Sequence, residues 1–95
     1  MSPINTPVAL FRLGRILSTP NALAKLDNQD ILVAIQRHQA GDWGDVQQRD
    51  REANDQALEE GTRLLSKYHS ARRIKFWVIT EADRSATTVL MPEDY

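Results

Sequence analysis

The chain has 95 residues, of which 41% are hydrophobic and 26% are charged, and its formal net charge is −1. These values indicate one ordinary globular domain with a single core. The low charge argues against sequence-independent binding of nucleic acid, and the absence of cysteine excludes disulfides, thiol catalysis and zinc–thiolate sites.

The N-terminal segment predicts a flexible arm over residues 1–7, followed by a single α+β domain over residues 8–95. The arm contains two prolines and lacks the basic and apolar parts of a secretory signal. No apolar run in the chain approaches the ~20 residues that a membrane span needs. We therefore expect a cytoplasmic protein that does not enter a membrane.

The first predicted element is a strand over residues 8–17, whose side chains alternate between two sides; a short helix is the alternative. A helix is expected next, because Thr19 suits the N-cap and Pro20 suits the first helical position. This helix is expected to end near Leu26, with Leu23 and Leu26 facing the core.

Two longer helices are predicted after it, over residues 29–39 and from a cap at Asp45 to about Glu60. Asn28 or Asp30 is expected to cap the first of them, and each helix is followed by a glycine. The inward face of the first is predicted to carry Ile31, Ala34, Ile35 and His38, and that of the second Val46, Asp50, Ala53, Asn54, Ala57 and Leu58.

The C-terminal part has the highest density of β-branched and aromatic residues. It predicts strands over residues 62–69, 73–80 and 87–91, with a polar turn at 81–86. Grouped helices and grouped strands indicate an α+β fold. We predict an N-terminal strand, three short helices and a three-stranded antiparallel meander, with the helices packed on one face of the sheet. The other face is expected to be partly open to a partner or a second copy.

Three segments together resemble a known family. They are residues 37–45, then Asp50 with Asn54, Leu58, Gly61 and 66–68, and finally 77–85 with Thr87, Thr88 and 92–95. The set resembles small bacterial proteins of plasmids and other mobile elements, labelled plasmid-related protein or type I restriction endonuclease subunit M. The chain lacks the glycine-rich loop of a methyltransferase, so the resemblance implies an accessory gene, acting against host defences, and no defined activity.

One group of side chains has the chemistry of a metal site. His38, Asp42, Glu81 and Asp83 supply an imidazole and three carboxylates, as a metal-assisted hydrolase or nuclease requires. Their spacing matches no metal motif, and His38 lies on the apolar face of its helix. We favour a structural role and predict no metal, no cofactor and no catalytic residue, keeping the hydrolase as the alternative.

The candidate binding surface consists of a tryptophan loop and the hairpin turn. Trp43 lies between two glycines, where it is either an exposed anchor for a partner or a residue folded back into the core. Charged residues on rigid turns often contact partners. The candidate surface is therefore Trp43, Asp42, Glu81, Asp83 and Arg84.

Polar residues on inward-facing positions predict a buried structural network of His38, Asp50, Asn54, Thr87 and Thr88. The expected partners of the third helix are Arg84, the threonine hydroxyls or the backbone of residues 41–44. A polar pocket is the alternative interpretation.

These features favour a small non-enzymatic accessory protein that acts by binding another protein, of the anti-CRISPR or anti-restriction type. A homodimer is a further expectation. Weak nucleic-acid binding through Arg72, Arg73 and Lys75 is the remaining alternative, with too few charges for firm binding.

Overall fold

The fold is α+β, as the sequence predicts, in a computed structural model that describes residues 9–95. The predicted arm at 1–7 and the start of the domain at residue 8 lie outside these residues. The elements in chain order are β1 (Arg15–Ser18), α1 (Pro20–Lys25), α2 (Asn28–Gln39), α3 (Gln48–Glu60), β2 (Leu64–His69), β3 (Lys75–Thr80), β4 (Ala86–Leu90) and a 3₁₀ turn (Pro92–Asp94).

The four strands form one mixed sheet in the order β1-β4-β3-β2. Strands β2, β3 and β4 form the predicted antiparallel meander, whereas β1 pairs parallel to β4. Strand β1 begins later than predicted because Gly14, with φ of +64°, turns the chain into the sheet. A Cβ atom at Gly14 would lie 2.3 Å from the carbonyl oxygen of Ser85, so only glycine fits this entry point.

Local side-chain chemistry sets the helix ends. The Thr19 hydroxyl accepts a hydrogen bond from Ala22 N at 3.1 Å and caps α1, as predicted. The N-cap of α2 is Asp27, and not Asn28 or Asp30. Helix α3 begins at Gln48, after an N-cap at Gln47 and not at Asp45, because the Asp45 carboxylate is hydrogen-bonded to His69 Nδ1 on β2 and does not accept from the helix.

Helices α1 and α2 cover one face of the sheet. The predicted inward residues of α2 pack there, and Leu26 is buried as expected. Leu23 is 58% exposed, so its predicted core position is wrong: Ala22 and Leu26, four residues apart, occupy the inward side of this short helix. The main core comprises Ala22, Leu26, Ala34, Ile35, Tyr68, Phe76, Val78, Val89 and Met91.

The β2 edge of the sheet is closed by the chain itself. Lys67 N donates to Trp43 O at 3.0 Å, and the Asp45–Lys67 bond completes a short parallel bridge. Two residues before Lys67 on the same edge, the side-chain amide of Asn54 on α3 donates to Leu65 O at 2.7 Å and accepts from Leu65 N at 3.1 Å. These bonds replace a neighbouring strand, so β2 has little free edge.

The face of the sheet opposite α1 and α2 is aromatic and basic. Lys67 Nζ lies 5.1 Å from the ring centroid of Trp77, which packs edge-on against Tyr95 at 5.4 Å. The Tyr95 hydroxyl accepts from Arg63 at 3.0 Å. Ile79 on this face is buried, whereas Trp77 is half-buried.

Candidate functional site

Trp43 lies in the core. Its side chain is 3% exposed, packs edge-on against His38 and donates from Nε1 to Asp55 Oδ1 at 3.0 Å. The alternative of an exposed anchor is wrong, because the bridge of residues 43–45 to β2 turns the indole inward. Trp43 therefore presents almost no surface to a partner.

Asp42 holds the end of α2. Its carboxylate accepts two hydrogen bonds from the Arg37 guanidinium, at 2.7 and 3.2 Å, and one from Gly44 N at 3.2 Å. The hydrogen bonding with Arg37 is the main cause that lowers the pKa of Asp42 from 3.8. Both partners are half-exposed, so the pair contributes little stability and mainly fixes the loop.

In the predicted hairpin turn, one arginine binds the end of α3 and two carboxylates are exposed. Arg84 donates to Thr62 O at 2.6 Å and to Ala57 O at 3.0 Å, which ties the turn to the C-terminal end of α3. Asp83 accepts from Ser85 N at 3.0 Å, and the hydrogen bond with the Ser85 hydroxyl lowers its pKa from 3.8. Arg84 is thus structural, and Glu81 and Asp83 are the solvated residues of the turn.

His38 lies in a buried chain of hydrogen bonds. Thr87 Oγ1 donates to Leu13 O at 2.7 Å, so its oxygen accepts from Thr80 at 2.7 Å. The Thr80 oxygen then accepts from His38 Nε2–H at 2.8 Å, and Nδ1 accepts from Ser66 at 2.5 Å. Each hydroxyl has one proton, so this chain places a proton on His38 Nε2, and in the neutral ring Nδ1 is then the acceptor.

Of the residues expected in the network, the structure brings His38 and Thr87 into this chain of hydrogen bonds, but not Asp50, Asn54 or Thr88. Ser66 and Thr80, which complete it, occupy inward positions of β2 and β3 and were detectable from strand alternation. Thr88 faces the opposite side of the sheet from Thr87. Asn54 is buried but bonds the backbone of Leu65, not the expected partners.

The proposed metal ligands do not converge. Within residues 9–95, no group of three or more histidine, aspartate or glutamate side chains is arranged to hold a metal ion. Both ring nitrogens of His38 are bonded to hydroxyls, and Asp42 is paired with Arg37. Burial, together with the charge of Arg84, lowers the pKa of His38 to about 4.

Among residues 9–95, no segment pairs with the outer side of β1, which is an edge strand of the sheet. Arg15 N and Thr19 N donate to Ser85 O and Val89 O on β4, both at 3.0 Å. Since backbone groups alternate in direction along a strand, the N–H groups of Ile16 and Ser18 point away from the sheet. Ile16 is 54% and Leu17 40% exposed, on opposite faces.

A cleft of about 470 Å³ lies on the aromatic and basic face. Strand pairing places Lys67 opposite Trp77 and His69 opposite Lys75. The segment that leads into α3 forms the other wall, where the Asp45 carboxylate is hydrogen-bonded to His69 Nδ1. The cleft is lined by Asp45, Gln47, Asp50, Lys67, Tyr68, His69, Lys75, Phe76, Trp77 and Pro92.

Comparison of the chain with protein-family models, curated proteins and solved structures gives no match. Among residues 9–95, no helix combines the length and apolar character needed to cross a membrane. The β1 edge and the cleft are the surface features from which the functional proposals are argued.

Proposed function

We propose that this protein is a non-enzymatic binding protein that accepts an extended segment of a partner protein as an additional strand along β1. The observation that carries the proposal is the outward-facing backbone of Ile16 and Ser18, with exposed apolar side chains at Ile16 and Leu17. A strand added there would gain main-chain hydrogen bonds and apolar contacts on both faces.

The contrast between the two edges of the sheet supports this proposal. A covering segment is one of the ways in which proteins protect an edge strand. Residues 43–45 and Asn54 cover β2, whereas no segment within residues 9–95 pairs with the outer side of β1. Gly14 and Pro20 flank β1, so the edge suits a short segment.

The biological setting that we propose is an accessory protein of a bacterial mobile element. Its partner would be a component of host defence, so that the protein acts as an anti-CRISPR or anti-restriction protein. The resemblance to small plasmid-borne proteins supports this setting, and the low net charge of −1 favours a protein partner over nucleic acid. We place its action in the cytoplasm.

The test is site-specific photo-crosslinking in the bacterial host. A benzophenone amino acid at position 16 is compared with the same group at Leu32, a control position on α2 that is also 54% exposed. We expect one discrete adduct with another protein from position 16 and none from position 32. Ser18→Pro, which removes an outward N–H but no bond to β4, should lower the yield about tenfold.

Two results would contradict the proposal. An adduct with the mass of two copies of this chain would show self-pairing of β1 in a homodimer and not partner binding. Equal adduct patterns from positions 16 and 32, or a yield unaffected by Ser18→Pro in a folded variant, would exclude strand addition. Circular dichroism of each variant establishes that it is folded.

A further inference from the structure

We propose that the cleft beside Trp77 binds a nucleotide whose base carries an amino group, such as adenosine or cytidine monophosphate. This inference is independent of the β1 edge, because it rests on different residues of β2 and β3. The cleft volume of about 470 Å³ lies within the ~300–1,000 Å³ range of small-molecule sites.

The floor of the cleft pairs an aromatic ring with two cations. Trp77 is half-buried in the middle of β3, and the ammonium of its cross-strand partner Lys67 is 5.1 Å from its ring centroid. Lys75 is two residues before Trp77 on the same face of β3. Because the Lys67 ammonium lies over the Trp77 ring, a base that stacks there would take its place, and the displaced ammonium, together with Lys75, would face the phosphate.

The wall of the cleft supplies hydrogen-bond acceptors. Asp45 is fixed by His69, and Asp50 lies half-exposed in the first turn of α3. Carboxylates would repel a simple anion, but they accept hydrogen bonds from the exocyclic amino group of a base. The combination of ring, cations and carboxylates thus matches a nucleotide with an amino-bearing base better than free phosphate.

The three basic residues predicted as a weak nucleic-acid site, Arg72, Arg73 and Lys75, do not all lie at the cleft. Lys75 lines the cleft, whereas Arg72 and Arg73 lie in the turn between β2 and β3, outside the lining. Two lysines are few for a long phosphate backbone, so the site fits one nucleotide, either free or as part of a single strand. The shared chemistry is a stacked base with an adjacent phosphate.

The test is a fluorescence titration with adenosine monophosphate, uridine monophosphate, adenosine and a six-nucleotide single-stranded oligoadenylate. Since Trp43 is buried, quenching should come from Trp77, and Trp77→Leu should abolish it. We expect Lys67→Ala or Lys75→Ala to weaken binding of adenosine monophosphate about tenfold, while the control Arg72→Ala leaves it unchanged. Uridine monophosphate and adenosine should each bind about tenfold more weakly.

The oligonucleotide identifies the source of the ligand. Binding of oligoadenylate more tightly than the mononucleotide would assign the site to a strand, and equal binding would assign it to a free nucleotide; both support the proposal. No quenching by either ligand at about 10 mM would overturn it. So would equal weakening by Arg72→Ala and Lys67→Ala, which would indicate only general charge attraction.

Discussion

Replacement of Gly44 by alanine is expected to lower the free energy of unfolding by about 4 kcal/mol, or the melting temperature by about 20 °C. Gly44 has φ of +76°, and a Cβ atom there would lie 2.0 Å from the carbonyl oxygen of Lys67. The segment would have to leave β2, losing both bridge hydrogen bonds and displacing Trp43 from the core.

Gly61 provides the matched control. It also has a left-handed φ, +73°, but nothing lies within 4 Å of a Cβ atom placed there. Gly61→Ala should therefore cost only about 1 kcal/mol, the cost of the conformation alone. Urea unfolding of both variants makes the comparison, and equal losses would show that contact with β2 is not what requires Gly44.

Lowering the pH from 7 toward 4 is expected to reduce the free energy of unfolding, because His38 is buried in its neutral form. Its pKa is about 4 in the folded chain against 6.5 as the ordinary value, because burial disfavours the charged ring. Between these values the unfolded state binds more protons than the folded state. The contribution of neutral His38 to the free energy of unfolding is therefore fully present above about pH 6.5 and is lost as the pH decreases toward about 4. The expected loss is about 2 kcal/mol between pH 7 and pH 5 and about 3 kcal/mol by pH 4.

Urea unfolding at several pH values measures this loss. The pKa values of Asp42, Asp83 and Asp94 are lowered from 3.8 and that of Glu93 from 4.5, so the loss between pH 7 and pH 5 is the part that reports on His38. A flat profile between pH 7 and pH 5 for the native chain would contradict the buried neutral state of His38.

Local patterns in the sequence predict much of this fold. The capped start at Thr19, the apolar face of α2 and the hairpin of β3 and β4 all depend on residues close in sequence. The parallel pairing of β1 with β4 was not predictable in this way. It joins residues about seventy positions apart, and the four-residue β1 has little periodicity of its own.

The sites depend even more on distant pairing. The sequence identifies Trp43 as notable, but its burial follows from the bridge between residues 43–45 and Lys67. Likewise, the register of β2 and β3 places Lys67 opposite Trp77. The cleft forms where the segment that leads into α3 packs beside this pair of strands. Such register is set by the assembled sheet, which no single segment specifies.

Amide hydrogen exchange along β1 tests strand addition most directly. It is measured in the free chain and in the complex with the protein that the position-16 crosslink captures. In the free chain, the outward amides of Ile16 and Ser18 should exchange rapidly, while Leu17, directed toward β4, exchanges slowly. Adding the partner should slow exchange at Ile16 and Ser18 and leave Leu17 unchanged. Slow exchange at Ile16 and Ser18 in the free chain, or no change in the complex, would contradict the proposed binding edge.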